Sequence, residues 1–154
     1  MSTLLCLLRH GLASGQGPSA PLRPEGEADV AALGRRLARE GFAPAAAYAS
    51  PYLRARDTAN ILLGELGSSV QLVLVRELTP DVEPGDALDA LEARGLPGGP
   101  VLVVTHLPLV ARLAVGLTDE PVDFRPGTYA EIELDARSRR GVLRRRIGPE
   151  DPAA

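Results

Sequence analysis

This chain has few of the residue types that are typical of nucleic-acid-binding surfaces or of disulfide-crosslinked folds. Its 154 residues include no lysine, no tryptophan, one cysteine and only 3% aromatic residues. The single cysteine, Cys6, excludes an intramolecular disulfide, and its place in an apolar run predicts a buried thiol in a reducing, cytoplasmic setting. Few aromatic side chains and a formal net charge of -3 leave little for stacking bases or for attracting nucleic acid or anionic membranes. We therefore expect neither a nucleic-acid partner nor a membrane partner.

Long hydrophobic runs are also absent. No apolar stretch approaches the roughly 18 residues that a membrane span needs, and Arg9 and His10 interrupt the first stretch too early for a signal peptide. The length and the 45% hydrophobic content predict a core large enough for one domain. We place this domain at residues 1–147 and predict a flexible tail at residues 148–154.

Short apolar runs alternate with longer stretches of helical periodicity, which is the pattern of an α/β protein. Proline, glycine and acidic residues at 15–24 and 80–86 predict loops. The last part of the chain has two strand-like runs around a polar turn with Gly141, which predicts an antiparallel hairpin. The predicted strands are 4–8, 45–49, 71–75, 101–104, 129–134 and 142–147, and the predicted helices are 26–40, 52–66 and 107–117.

The two histidines of the chain each follow a predicted buried strand. His10 comes after the run 4–8 with Arg9 beside it, and His106 comes after the run 101–104. Because the carboxyl ends of parallel strands line one crevice, we expect the two imidazoles to meet there. Arg54, in the first turn of the helix after the strand 45–49, can reach the same place. Two guanidinium groups and two imidazoles suit a dianion such as phosphate.

A single histidine at a strand end is more often a hydrogen-bonded structural residue than a catalyst, so the inference depends on the pair and its arginines. Ser50 and Thr105 have hydroxyl groups nearby, but a helix cap and a strand end explain them as well, and we leave both out of the catalytic set. Two histidines and Cys6 are also too few for an ordinary zinc site, which takes three or four ligands.

Five short segments of this sequence resemble the histidine phosphatase superfamily, whose fold is phosphoglycerate mutase-like. The segment 77–80 and the residues that follow His106 resemble, within that superfamily, the SixA-type phosphohistidine phosphatases. The resemblance covers most of the chain and implies a three-layer α/β/α sandwich with a mostly parallel central sheet. The segments are Arg9-His10-Gly11, Ser50-Pro51-Tyr52-Leu53-Arg54-Ala55, Glu77-Leu78-Thr79-Pro80, Thr105-His106 and His106-Leu107-Pro108-Leu109-Val110.

The resemblance implies a role for each site residue. His10 is the nucleophile that forms a phosphohistidine intermediate, and Arg9, Arg54 and His106 hold the phosphoryl oxygens. Phosphoryl transfer needs in-line positioning and neutralised charge, which such a clamp supplies without a metal or cofactor. Glu77 is the candidate general acid, although Asp81 and Glu83 compete with it and a surface carboxylate is an equal interpretation of Glu77.

The substrate that the resemblance suggests is phosphohistidine on a signalling protein, such as a histidine phosphotransfer domain. A small-molecule phosphomonoesterase of the same superfamily is the alternative, with a small phosphorylated metabolite as substrate. A phosphoprotein-binding module without turnover is an alternative of another class. The short loops between the motifs leave little material for a lid, which favours a protein-borne substrate. The arginine cluster at 137–140 and 144–146 is compatible with contact to nucleic acid or an acidic partner, but the low aromatic content disfavours nucleic acid, and charge that protects a hairpin edge is the simpler interpretation.

Overall fold

The computed structural model describes residues 2–152, and its centre is a six-stranded mixed sheet. The strand order is β3-β2-β4-β1-β5-β6, with β1 in the interior and parallel to β4. The first four strands of this order run parallel, while β5 is antiparallel to both β1 and β6. The strands are β1 (Thr3–Arg9), β2 (Ala46–Ala49), β3 (Leu72–Leu74), β4 (Gly99–Thr105), β5 (Tyr129–Asp135) and β6 (Arg140–Ile147).

Helices cover both faces of the sheet. On one face, α1 (Pro24–Arg39) and α2 (Leu53–Leu66) bury Val30, Leu37 and Leu62 against the side chains of alternate strand residues. On the other face, α3 (Pro84–Arg94) and α4 (Leu109–Thr118) pack on the remaining strand residues. The interior strands β1 and β4 are apolar on both sides because both faces are covered. This arrangement confirms the predicted three-layer α/β/α sandwich with a mostly parallel sheet.

The sequence prediction missed α3 and was wrong about part of the loop 80–86. Pro84 and Gly85 look like loop residues, but proline is well tolerated in the first turn of a helix, and α3 begins there. Ala87, Leu88 and Leu91 then form its buried face. The helix predicted at 107–117 begins two residues later, at Leu109, since Pro108 is its N-cap.

The predicted hairpin is present, and it ends in a short ordered turn. Gly141 lies close to the neighbouring strand, where a Cβ atom would come within 2.5 Å of Ile132 Cγ2. After β6, the amide of Gly148 donates to Asp151 Oδ2 and the amide of Asp151 donates to the carbonyl of Gly148. Residues 153 and 154 of the predicted flexible tail lie outside the described residues. In the described part of the chain, no helix is both long and apolar enough to cross a bilayer.

Candidate active site

The two histidines leave the sheet side by side. Because β1 and β4 are adjacent and parallel, Arg9 is in register with Thr105, and His10 and His106 each come one residue later. The amide of His10 donates to the carbonyl of Thr105 over 3.0 Å, which extends the ladder into the site. The imidazole centroids are 5.0 Å apart. The structure thus brings together the pair that the sequence predicted from two distant segments.

Hydrogen bonds fix the ring of His10. Its Nδ1 lies 2.7 Å from the carbonyl oxygen of Gly11, which can only accept, so Nδ1 carries the proton and Nε2 has the free electron pair. His10 is 7% exposed, and burial, with the charges of Arg54 and Arg9, lowers its pKa from 6.5 to about 4. At neutral pH the imidazole is therefore uncharged, as a nitrogen nucleophile must be.

Arg54 stands in the first turn of α2 and touches His10 directly. Its Nε donates to His10 Nε2 over 3.3 Å, and its Nη1 donates to the carbonyl of Gly17 over 2.8 Å. The guanidinium also lies over the ring of Tyr52, with 5.1 Å from Cζ to the ring centroid. The residue is 8% exposed, and burial lowers its pKa. Backbone and ring contacts hold this side chain without neutralising its charge.

Arg9 is held in the same way. Its Nη1 donates to the carbonyl of Phe124 over 2.9 Å, while its Nε is buried with no partner. Burial and the nearby Arg54 lower its pKa, and Asp123 offsets part of that effect. Across residues 2–152, neither Arg9 nor Arg54 forms an ion pair with a carboxylate. Two positive charges are thus left beside His10 for an anion that the protein does not supply.

His106 is 1% exposed and contacts a hydroxyl group that the sequence reasoning left out of the site. Its Nε2 lies 2.8 Å from Ser50 Oγ, and its Nδ1 is buried without a partner. The Tyr52 ring packs on it edge-on, with centroids 5.0 Å apart. Burial, followed by the effects of His10 and the two arginines, lowers the pKa of His106 to about 3. Nδ1 of His106 and Nε of Arg9 are therefore buried polar atoms for which the described structure supplies no hydrogen-bond partner.

A buried threonine ties the loop after β1 to the start of α2. The amide of Gly11 donates to Thr58 Oγ1 over 3.0 Å, and that hydroxyl donates to the carbonyl of Arg54 over 2.7 Å. Gly26 allows the loop to pass against α1, since a Cβ there would lie 2.3 Å from the carbonyl oxygen of Leu12. Nothing in the sequence singled out Thr58 except its position four residues after Arg54.

Glu77 is the one predicted site residue that no described contact joins to His10. It lies in the 3-10 turn Arg76–Leu78, next to Leu78, whose carbonyl accepts the hydroxyl of Thr105 over 2.6 Å. Its side chain lines an acidic surface cleft together with Asp81 and Glu83. The structure therefore brings the 77–79 segment to the end of β4 but gives Glu77 no contact with the histidine pair. Among residues 2–152, no group of three or more potential ligands is arranged to hold a metal ion.

Comparisons with known proteins show similarity in sequence and in overall fold. The sequence model of the histidine phosphatase superfamily (branch 1) matches residues 5–79, which include His10 and Arg54. No curated protein sequence matches the chain significantly.

Among solved structures, the chain is similar to the protein histidine phosphatase SixA complexed with tungstate. The two share 27% sequence identity with a TM-score of 0.85, and the match covers 95% of this chain and 97% of the SixA chain. A candidate phosphohistidine phosphatase SixA from Agrobacterium tumefaciens has a TM-score of 0.82, 19% identity, and coverage of 97% and 99%. A mycobacterial glucosyl-3-phosphoglycerate phosphatase shares the fold, with a TM-score of 0.69, 18% identity, and coverage of 92% and 97%.

Proposed function

We propose that this chain is a phosphatase of the histidine phosphatase superfamily, whose sequence model matches residues 5–79, and that it removes the phosphoryl group from phosphohistidine on a signalling protein. The reaction needs no metal and passes through a covalent phosphohistidine at His10. Arg9, Arg54 and His106 bind the phosphoryl oxygens.

The observation that carries this proposal is the state of His10. A neutral imidazole presents the electron pair of Nε2, its Nδ1 proton is tied to the Gly11 carbonyl, and an unneutralised guanidinium lies 3.3 Å from the reacting nitrogen. A nucleophile beside an uncompensated positive charge is the arrangement that in-line attack on a phosphoryl dianion requires.

In the first step, the Nε2 electron pair attacks phosphorus while the bond from phosphorus to the substrate nitrogen breaks. Arg54 exchanges its contact with His10 for the phosphoryl oxygens, and Arg9 and His106 bind the remaining negative charge. The leaving imidazole takes the electron pair of the broken bond. Because it can depart with a proton that it already carries, this step depends little on a general acid.

In the second step, a water oxygen attacks phosphorus of phosphorylated His10, the bond between phosphorus and Nε2 breaks, and inorganic phosphate leaves. The electron pair returns to Nε2, and the water proton is lost to the phosphate oxygens or to solvent. Glu77 is the candidate proton donor for a poorer leaving group, such as an alkoxide, and a rearrangement of the 77–79 segment would have to bring it to the substrate.

A protein-borne substrate is supported by what surrounds the site. Leu107, directly after His106, is 39% exposed, and Pro51 and Pro18 near the first turn of α2 are also exposed. An exposed apolar rim of this kind suits contact with a protein surface. The 27% identical SixA structure, which the chain matches over almost its whole length, supports the same substrate class.

The test is phosphate release from a phosphohistidine-bearing protein and from an aryl phosphate, with a chelator and without added metal. We expect wild-type protein to release phosphate from the phosphohistidine substrate and His10→Ala to be inactive, because the variant lacks the nucleophilic nitrogen, and Nε2 of His106 is engaged by Ser50. Acid-labile phosphate trapped on wild-type protein during turnover would mark the covalent intermediate.

The outcomes separate the alternatives. Release from the aryl phosphate alone would replace this proposal with a small-molecule phosphomonoesterase. No release from either substrate, with tungstate still bound, would leave a phosphoprotein-binding module. Activity in His10→Ala at the wild-type level would overturn the assignment of the nucleophile.

A further inference from the structure

Ser50 lies at the end of β2 and is completely buried. Its Oγ has two polar neighbours in the described structure. The amide of Tyr52 donates to it over 3.2 Å, and Nε2 of His106 lies 2.8 Å away. The serine therefore joins the β2–α2 turn to the second histidine of the site.

Counting donors and acceptors decides which way the bond between Ser50 and His106 runs. A hydroxyl has one proton to donate, and the Tyr52 amide can only donate to it. If His106 Nε2 also donated, the Ser50 proton would be buried without an acceptor, which is costly. If Ser50 donates to Nε2, the serine proton, the serine oxygen and Nε2 all have partners, and only Nδ1 of His106 is left without one. The described contacts thus favour an unprotonated Nε2 on His106.

The proton of the neutral His106 ring must then be on Nδ1. With Nε2 engaged by Ser50, Nδ1 is the nitrogen left for a ligand, and it is buried without a protein partner. We propose that Ser50 is a positioning residue that holds His106 in its Nδ1–H tautomer, so that His106 donates a hydrogen bond to a phosphoryl oxygen. This inference rests on the proposed function.

The two histidines then share a tautomer but present opposite chemistry. Gly11 accepts the Nδ1 proton of His10, which leaves an electron pair on Nε2 for attack. Ser50 donates to Nε2 of His106, which leaves an N–H on Nδ1 for binding. In the other tautomer, His106 would turn an electron pair towards an anion and repel it. The hydroxyl of Ser50 thus decides whether this imidazole attracts or repels phosphate.

The tautomers can be read directly, because the chain has only two histidines. Long-range proton–nitrogen correlation NMR on uniformly ¹⁵N-labelled protein at neutral pH should show protonated Nδ1 and unprotonated Nε2 for both rings. The His10→Ala variant assigns the signals. We expect Ser50→Ala to move His106 towards the Nε2–H tautomer and leave His10 unchanged. Wild-type His106 protonated at Nε2 would overturn the proposal, whether or not Ser50→Ala folds.

The same variant should bind tungstate and turn over substrate less well. A lost hydrogen bond to a charged oxyanion predicts a drop of about 10- to 100-fold in tungstate affinity and in kcat/KM. Ser68→Ala is the matched control, since Ser68 Oγ accepts the amide of Val70 over 3.2 Å in the same kind of turn but has no histidine partner. We expect wild-type values for it. An equal loss in both variants would show a purely structural effect and overturn the proposal.

A double-mutant cycle with His106→Asn sharpens the result. The side-chain amide of asparagine donates without a choice of tautomer, so Ser50→Ala should cost little further tungstate affinity in that background. A full additional loss there would contradict the tautomer role. Failure of the proposed function can be told apart from failure of this inference. Hydrolysis of a phosphorylated substrate tests the function, whereas the NMR tautomers and the tungstate affinities test the role of Ser50 even if no substrate is hydrolysed.

Discussion

Arginine has opposite roles in two regions of this molecule. In the active site, the guanidinium groups of Arg9 and Arg54 donate to the backbone carbonyls of Phe124 and Gly17, and neither is ion-paired within the described chain. In the C-terminal hairpin, five arginines each form an ion pair with a carboxylate. These hairpin arginines are Arg139, Arg140, Arg144, Arg145 and Arg146.

The pKa directions follow the same division. Burial without a carboxylate lowers the pKa of Arg9 and Arg54, whereas hydrogen bonds to Glu40 and Glu131 raise that of Arg145. A guanidinium that an internal carboxylate already neutralises offers little to an anionic ligand, while one held by neutral carbonyls keeps its full charge available. The residue type alone therefore does not distinguish the arginines of the proposed phosphate site from those of the hairpin; the chemical nature of their partners does.

Replacing a site arginine should therefore have the largest effect. Arg54→Ala should lower kcat/KM by about 100- to 1,000-fold, since it removes a preorganised charge from the phosphoryl group and a contact to the nucleophile. Steady-state kinetics on the phosphohistidine substrate measures the loss. Arg56→Ala, on the exposed side of the same helix turn, is the control and should stay within about twofold of wild type. Comparable losses in both variants would refute the role of Arg54.

The second-largest effect should be on the pH dependence of stability, where the site histidines and the hairpin ion pairs should act in different pH ranges. The pKa values of His10 and His106 are lowered from 6.5 to about 4 and about 3, so below pH 6.5 the unfolded chain takes up protons that the folded chain does not. Each histidine should cost about 2 kcal/mol of unfolding free energy between pH 7 and pH 5. Urea unfolding at these pH values measures this, and His106→Ala should have a shallower dependence than wild type.

The hairpin should respond in a lower pH window. The arginines lower the pKa of Glu40 and Glu133 from 4.5, so their stabilisation is complete above that value and is lost as the pH falls further. The unfolding free energy of an Arg145→Ala variant should therefore change between pH 7 and pH 5 with the wild-type slope, and the slope itself should differ from wild type only at lower pH. If the unfolding free energies of His106→Ala and wild type had the same pH dependence, the histidines would not be the source of the pH dependence between pH 7 and pH 5.

The sequence contained enough to predict which side chains meet in the candidate site, but not which groups hold them in place. Both histidines and Arg9 follow buried parallel strands, so their meeting is a consequence of topology, and Arg54 follows the next strand in the same way. The carbonyls that hold the arginines belong to loop backbone, which is chemically the same at every residue. The contact between Ser50 and His106 depends on side-chain distances across two strands. In the sequence, a serine before a helix is readily interpreted as a cap, although Tyr52 holds that position in the structure.

Removing Arg145 should affect stability and leave activity alone. Its guanidinium donates to Glu40 and to Glu131, whose side chain is only 10% exposed, so Arg145→Ala leaves a nearly buried carboxylate with the hydroxyl of Tyr129 as its remaining partner. We expect a loss of about 1–3 kcal/mol in unfolding free energy. Denaturant unfolding at pH 7 measures it, and kcat/KM should remain at the wild-type value. A large loss of activity without a loss of stability would place the hairpin in the site.

The smallest effect should come from an ion pair in which both side chains are exposed. Arg140, the first residue of β6, donates to Asp119, the C-cap residue of α4, and the two side chains are 61% and 70% exposed. Water and salt screen such a pair, and ordering two mobile side chains offsets most of its attraction, so Arg140→Ala should change the unfolding free energy by about 0.5 kcal/mol or less. Comparison with Arg145→Ala in 0.05 M and 0.5 M salt tests this. If Arg140→Ala proved as destabilising as Arg145→Ala, burial of the carboxylate would not determine how much each hairpin ion pair contributes to the unfolding free energy.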